Sequence, residues 1–121
     1  AIERVAVPAS QRSSAVERRR DEAGLLRAAT PERCVPIALD SRGEALTSAE
    51  FGSRLVRWRE RGELVFLVGG PDGFDPSILE SGLTSVSLGP MTLPHELALV
   101  VLLEQLYRAL ADEAGHPYAR H

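Results

Sequence analysis

The sequence predicts an α/β fold with a mostly parallel sheet and helices on both faces. Two apolar runs, residues 34–39 and 64–68, have the length of strands and lack the apolar–polar alternation of half-buried strands. Continuous apolar runs are typical of strands that are buried on both faces of a parallel sheet. The complete predicted order is strand, helix, strand, helix, strand, short helix, strand, helix. Strands that alternate with helices in this way indicate a parallel sheet.

The first third of the chain predicts one strand and one helix. Residues 2–7 alternate apolar and charged side chains, as a short strand does. Ser14 and Glu17 have the spacing of a capping box, so a helix is expected over residues 14–29. Its Arg18-Arg19-Arg20 run is more typical of a solvated face than of an RNA contact.

The middle of the chain predicts a strand, a turn and a helix. The strand covers residues 34–39, and the Asp-Ser-Arg-Gly sequence of residues 40–43 is typical of a turn. Thr47 and Glu50 form a second capping box, and Gly62 is suited to end the helix that follows.

The last half predicts two strands and two helices. A buried strand, residues 64–68, runs into the loop Gly-Gly-Pro-Asp-Gly at 69–73. A short helix is expected over residues 75–82, because Asp followed by Pro suits a helix start. The last strand, residues 85–88, leads through a Gly-Pro turn to a helix over residues 97–110.

This last helix is too apolar for all of its faces to be covered within a single chain. Seven consecutive residues, 97–103, are apolar. A helix that is apolar all round has more than one covered face. A partner subunit is the simplest second cover.

Composition limits the class of protein. A chain of 121 residues suits one domain, and no apolar run approaches the roughly 20 residues of a membrane span. Cys34 is expected to be a small core residue, so the cytoplasm is the default compartment. The net charge of −3 is not that of a general nucleic-acid binder. All 14 positive charges are arginines, however, and their forked guanidinium groups match phosphate oxygens.

The predicted sheet points to one edge for a ligand. Ligands of open parallel sheets bind beyond the carboxyl ends of the strands. Three loops meet this condition: the one after Leu39, the one at Gly69 and the turn at Gly89-Pro90. The glycine loop matches neither a Walker loop nor a dinucleotide fingerprint. A ligand held by backbone groups is therefore favoured over a phosphate cradle.

No metal site is expected. His95, His116 and His121 are widely separated and form none of the histidine pairs typical of zinc sites. His95 stands at a helix start, where capping or packing competes with a chemical role. Glu104 and Arg108 have the spacing of an intrahelical ion pair.

Four segments resemble one known family. LVFLVGGPDGF at 64–74, SLGPMTLPHEL at 87–97, VLLEQLYRA at 101–109 and the terminal GHPYAR at 115–120 are similar to the SPOUT-class ribosomal RNA large subunit methyltransferase H family. The resemblance implies a C-terminal trefoil knot and a homodimer formed through the C-terminal helix. It also implies S-adenosyl-L-methionine as cofactor. The implied substrate is N3 of a pseudouridine in a large-subunit ribosomal RNA stem-loop, presented by the large subunit or the 70S ribosome.

The resemblance also assigns residues. The implied catalytic residues are His95, Arg108 and Tyr118, with His95 helping to remove the N3 proton. The implied cofactor pocket consists of Leu39, Gly69, Gly70, Leu88, Gly89, Pro90, Met91, Thr92 and Leu93. On this hypothesis the substitution His95→Ala slows methylation and leaves cofactor affinity nearly unchanged.

Three departures from the family pattern leave alternatives open. The chain is expected to be a single SPOUT domain, residues 1–121, that lacks the family's usual N-terminal strand and helix. Leu99 stands where the family commonly has arginine, and Ala119 replaces a histidine of its C-terminal motif. The alternative is a catalytically weak paralogue that binds the cofactor, ribosomal RNA or both. A third interpretation is an α/β dimer with an unrelated small ligand.

Overall fold

The computed structural model describes residues 14–20, 24, 34–69, 74–75 and 83–120. The predicted strand at 2–7, the second half of the first helix and the short helix after Asp75 lie outside the described residues. The first helix is represented by residues 15–20, where Ser14 Oγ accepts a hydrogen bond from the Glu17 backbone N–H at 3.1 Å. The other elements in chain order are β1 (Cys34–Ala45), α1 (Ser48–Arg61), β2 (Glu63–Val68), β3 (Thr84–Ser87), α2 (His95–Glu113) and a 3-10 helix (Pro117–Arg120).

The three described strands form a parallel sheet in the order β2-β1-β3. Leu39 of β1 lies opposite Val68 on one side and Val86 on the other. The predicted parallel α/β arrangement is confirmed for these strands. Because all three point the same way, their carboxyl ends meet at one edge.

β1 is longer than the sequence predicts. The strand was expected to end at Leu39, but it continues to Ala45. Leu39 and Glu44 both lie opposite Val86, so residues 40–43 form an irregular excursion within the strand. Asp40 Oδ1 accepts the backbone N–H of Arg42 at 2.8 Å inside this excursion. Residues 40–43 therefore do form the predicted turn, but the turn is a bulge within β1 and does not end the strand.

The excursion passes very close to β3 at Gly43. A Cβ atom on Gly43 would lie 2.6 Å from Ser85 Oγ and 2.7 Å from the Ser85 carbonyl carbon. Only glycine allows this approach between the two strands.

Helix α1 begins and ends where the sequence predicts. Thr47 Oγ1 accepts the Glu50 backbone N–H at 3.1 Å, and Glu50 Oε1 accepts the Thr47 backbone N–H at 3.0 Å. This hydrogen bond from the Thr47 amide lowers the pKa of the Glu50 carboxyl. Gly62 follows the helix with a φ of 150°, a conformation that glycine adopts readily.

The main core lies between the sheet and the two helices. Phe51 and Trp58 of α1, with Leu102 of α2, pack against Ile37 and Val86. The Phe51 and Trp58 rings meet edge to face at 6.2 Å between centroids. Each such fully buried side chain contributes about 1.5–3 kcal/mol of hydrophobic stabilisation. A smaller cluster contains Ala38, Leu67, Phe74 and the partly buried Val65 and Leu83.

Helix α2 buries only part of its surface. Among its residues Leu102 and Ala111 are buried, while several large apolar side chains are exposed. Within the described ranges, no helix combines the length and hydrophobicity required to cross a membrane.

Candidate functional site

The structure brings the first residues of the three predicted loops together at the carboxyl edge of the sheet. Leu39 is buried in the central strand. Gly69 comes directly after β2, and Leu88 directly after β3. The register places both neighbouring strand ends beside Leu39. Gly70, also assigned to the pocket from the sequence, lies outside the described residues.

The turn after β3 is fixed by Ser87, which sequence reasoning did not single out. Ser87 Oγ donates a hydrogen bond to the Gly89 carbonyl at 2.9 Å and accepts one from the Gly89 N–H at 3.1 Å. The serine is buried, and Gly89 adopts a φ of 138° that favours glycine. A small hydroxyl residue two positions before a Gly-Pro pair was the available signal.

The segment from Pro90 to Leu93 is largely open to solvent. Pro90 and Thr92 are exposed, and Leu93 is half-buried. Met91 has 78% of its surface accessible, the largest fraction among the exposed large apolar residues of the described ranges. This edge therefore offers accessible apolar side chains beside a turn that is fixed by its own hydrogen bonds.

His95 connects the end of this segment to the neighbouring loop. Its Nδ1 lies 3.0 Å from the carbonyl oxygen of Gly69. His95 is the first residue of α2, whose N-cap is Pro94 and has no side-chain cap hydrogen bond. The capping role considered for His95 is therefore wrong. The ring instead bridges two of the three loops.

The contact between His95 and Gly69 determines which nitrogen of the imidazole carries the hydrogen. A carbonyl oxygen can only accept, so Nδ1 must be the donor. In the neutral ring, Nε2 then keeps its lone pair and can accept a proton from another group.

Arg108 and Tyr118 lie together near the end of α2. Arg108 Nε donates to Glu104 Oε1 at 2.8 Å, as the predicted intrahelical ion pair requires. This hydrogen bond raises the pKa of the Arg108 guanidinium. The guanidinium carbon lies 5.2 Å from the centre of the Tyr118 ring, within cation–π range. Tyr118 also meets Tyr107 edge to face at 4.7 Å.

The three residues assigned to catalysis form two groups within one chain. His95 is at the first turn of α2, and Arg108 is near its end. At 1.5 Å per residue, the helix separates them by about 20 Å along its axis. A single chain therefore does not place the Arg108–Tyr118 pair beside His95.

One face of α2 remains apolar and exposed. The residues on it follow spacings of three and four, which place them on one side of a helix. They are Leu97, Val100, Leu103, Tyr107 and Leu110. The prediction that this helix is apolar on more than its core-facing side is confirmed, and this set is called the outer face of α2 below.

A small cleft of about 140 Å³ lies between the start of α1, the end of β3 and the middle of α2. Its walls include Leu46 and Phe51 near the start of α1, Leu88 after β3, and Val101 and Gln105 of α2. It borders the turn after β3, but sequence reasoning did not predict it because its walls are distant in the chain.

Among the described residues, no group of three or more His, Cys, Asp or Glu side chains could hold a metal ion. Cys34 is half-buried and makes no disulfide there.

Comparisons with known proteins agree on one family. The profile of the family described as "Predicted SPOUT methyltransferase" matches residues 1–119. A protein of Nitrobacter hamburgensis named ribosomal RNA large subunit methyltransferase H is 43% identical over 116 residues, which cover 94% of this chain and 72% of the relative. A protein of the same name from Rhizobium leguminosarum bv. trifolii is 42% identical over 122 residues, covering 98% of this chain and 76% of the relative.

The chain has a parallel sheet whose strand ends meet at one edge, and the profile matches nearly its whole length. It is therefore a methyltransferase enzyme of the SPOUT class. Within this class, the chain belongs to the ribosomal RNA large subunit methyltransferase H family.

Proposed function

We propose that this protein uses S-adenosyl-L-methionine to methylate N3 of a pseudouridine in a stem-loop of large-subunit ribosomal RNA. The observation that carries the proposal is the convergence of Leu39, Gly69 and the Ser87–Gly89 turn at one edge of the sheet. These are the loops to which the family resemblance assigns the cofactor. The names of the relatives from Nitrobacter and Rhizobium supply the substrate class.

The residues at this edge fit an adenosyl cofactor. An adenine ring needs an apolar slot and main-chain hydrogen bonds, and it needs no charged side chain. Leu39, Leu88 and Leu93 supply apolar side chains at the edge, and Gly69 and Gly89 have no side chain of their own to block the approach of a ligand. Met91, exposed here, gives a further apolar contact. The pocket consists of these residues with Gly70, Pro90 and Thr92.

The chemistry is a direct in-line methyl transfer. The cofactor, when bound, supplies an electrophilic methyl group on a sulfonium. The imide nitrogen of the base donates the electron pair, and its proton must leave before or during the attack. His95 Nε2 has the lone pair to accept that proton, because Nδ1 is committed to Gly69. The strand-end loops contribute by holding both reactants in line.

A homodimer through α2 completes the site. The outer face of α2 is a contiguous apolar surface, which in soluble proteins marks an interaction site. Arg108 and Tyr118 adjoin this face, about 20 Å from His95 of the same chain. Packing a second copy there brings another Arg108–Tyr118 pair to the dimer seam, where guanidinium and aromatic groups suit phosphate and base contacts.

Localisation follows from the substrate. Methylation of ribosomal RNA within a 70S ribosome places the enzyme in the cytoplasm.

Two measurements test the function. Calorimetry with S-adenosyl-L-methionine is expected to show one site per chain. Incubation with radiolabelled cofactor and 70S ribosomes that lack the modification is expected to label the large-subunit RNA, and mapping by primer extension identifies the nucleotide. Binding without labelling would favour the catalytically weak paralogue. Absence of binding would favour an unrelated small ligand.

A further inference from the structure

We propose that His95 is a positioning residue: its Nδ1 fastens the loop after β2 to the start of α2 and so holds the cofactor pocket in shape. The inference rests on the proposed function, since it concerns the same pocket. It gives His95 a role in cofactor affinity that is separate from proton transfer at Nε2.

The position of the bond in the chain supports this role. Gly69 and His95 are 26 residues apart in sequence, yet Nδ1 and the carbonyl oxygen are separated by 3.0 Å. Gly69 begins the loop after β2, and His95 directly follows the other cofactor segment, which runs from Leu88 to Pro94. The hydrogen bond therefore joins the two loops directly.

The segment from Leu88 to Pro94 is held at both ends. At its start, Ser87 Oγ makes two hydrogen bonds with Gly89. At its end, the His95 ring is bonded to Gly69. Between these anchors the segment is largely exposed, although Leu93 is half-buried, and 78% of the Met91 surface is accessible. Loss of the His95 bond leaves the start of the segment held by the Ser87 hydrogen bonds and by the packing of Leu88 against the core, whereas its end is no longer tied to Gly69. Cofactor binding must then order that end at an entropic cost.

The two nitrogen atoms of the ring can be separated by substitution. In His95→Asn the amide nitrogen takes a position close to Nδ1 and can still donate to Gly69. In His95→Gln the amide nitrogen lies close to Nε2, and in His95→Ala no donor remains. Only the asparagine variant keeps the loop-joining hydrogen bond, and none of the three keeps a basic nitrogen.

The experiment measures cofactor affinity by calorimetry for the wild type and the three variants. The family resemblance alone implied that His95→Ala leaves cofactor affinity nearly unchanged, but the bond to Gly69 changes that expectation. We expect His95→Ala and His95→Gln to weaken binding about 3- to 10-fold, the range that corresponds to one lost hydrogen bond. His95→Asn is expected to bind within twofold of the wild type. Rescue by asparagine and not by glutamine is a readout that general loss of structure would not give.

The outcomes are distinct. Wild-type affinity in His95→Ala, or equal weakening in all three variants, overturns the inference. Failure of the wild type to bind the cofactor overturns the proposed function instead. The methylation rate at saturating cofactor reports separately on Nε2. If His95→Ala does not fold, as shown by circular dichroism, the contrast between asparagine and glutamine still decides.

Discussion

Asp40 binds Arg42 two residues further along the chain through three hydrogen bonds. The Arg42 backbone N–H and Nε both donate to Oδ1, at 2.8 and 2.9 Å, and Nη2 donates to Oδ2 at 3.1 Å. The Asp40 side chain is 8% exposed, whereas Arg42 reaches into solvent. These bonds hold the excursion of β1 directly after Leu39, at the edge where the cofactor is proposed to bind.

The first prediction concerns Asp40→Asn, which removes the charge and keeps the shape. We expect a loss of about 1–3 kcal/mol in the free energy of unfolding, measured by urea denaturation, because the charged hydrogen bonds from Arg42 weaken. Glu44→Gln is the matched control. Its ion pair with Arg54 is on the surface, so the expected loss is under about 1 kcal/mol.

The pH dependence of this pair has a defined sign. The hydrogen bonds from the Arg42 side chain lower the pKa of Asp40, although burial opposes them. A carboxyl with a lowered folded-state pKa stabilises the fold above its unfolded pKa of about 3.9, and this contribution is lost as pH falls through the folded value. The stability difference between wild type and Asp40→Asn should therefore be constant near neutral pH and shrink below pH of about 4. A difference that grows with acid would contradict this assignment.

The second prediction compares two glycines. Gly43→Ala places a Cβ 2.6 Å from Ser85 Oγ, so β1 and β3 must separate, and we expect destabilisation of about 1–3 kcal/mol. In Gly52→Ala, within α1, the added Cβ meets Ala109 Cβ at 3.8 Å, an ordinary van der Waals distance, and no closer atom among the described residues. It should stabilise the protein by about 0.5–1 kcal/mol, since alanine favours a helix. Thermal unfolding of both variants checks the opposite signs.

The third prediction concerns assembly. Val100→Glu puts a charge in the outer face of α2, where the valine is 59% exposed in one chain. Light scattering after gel filtration should show a dimer for the wild type and a monomer for the variant, because an unpaired charge in an apolar interface is costly. Val56→Glu alters a similarly exposed valine on α1 and should leave the dimer intact. A monomeric wild type would refute the proposed seam.

The fourth prediction concerns Arg108. Replacing it with glutamine removes both the ion pair with Glu104 and the cation–π contact with Tyr118. We expect ribosome methylation to slow about tenfold or more, equivalent to about 1.4 kcal/mol, with cofactor affinity unchanged. Tyr118→Phe keeps the ring beside the guanidinium and should have a much smaller effect. A parallel fall in cofactor affinity would argue against a role confined to RNA and the seam.

Local rules predicted the helices well where the responsible atoms are close in sequence. The hydroxyl and carboxylate of the Thr47–Glu50 box are three residues apart, so the start of α1 could be read directly. Local patterns alone gave the wrong end for β1. Residues 40–43 do form a turn, but the return of the chain to Val86 depends on pairing with a distant strand, which no local pattern records.

The candidate site, too, could be predicted only in part from the sequence. The edge of the sheet at Leu39, Gly69 and Leu88 could be predicted from apolar runs and the edge rule, although β1 continues beyond Leu39, and the family resemblance added the residue assignments. The contact between His95 and Gly69 could not, because it depends on the relative placement of β2 and α2. The role of Ser87 was missed for a different reason: a serine at the end of a strand has many possible hydrogen-bond partners, and the sequence does not show which of them it takes.

The strand order has a consequence for the time course of folding. Ile37 pairs with Phe66 on one side and with Thr84 on the other, so the central strand leaves the ribosome before either neighbour. Such distant pairings are slow to form, and refolding is expected in the range of milliseconds to seconds. Trp58, the single tryptophan, is buried in the cluster that contains Ile37 and Val86. Its intrinsic fluorescence therefore reports when β3 pairs with β1 and completes this cluster.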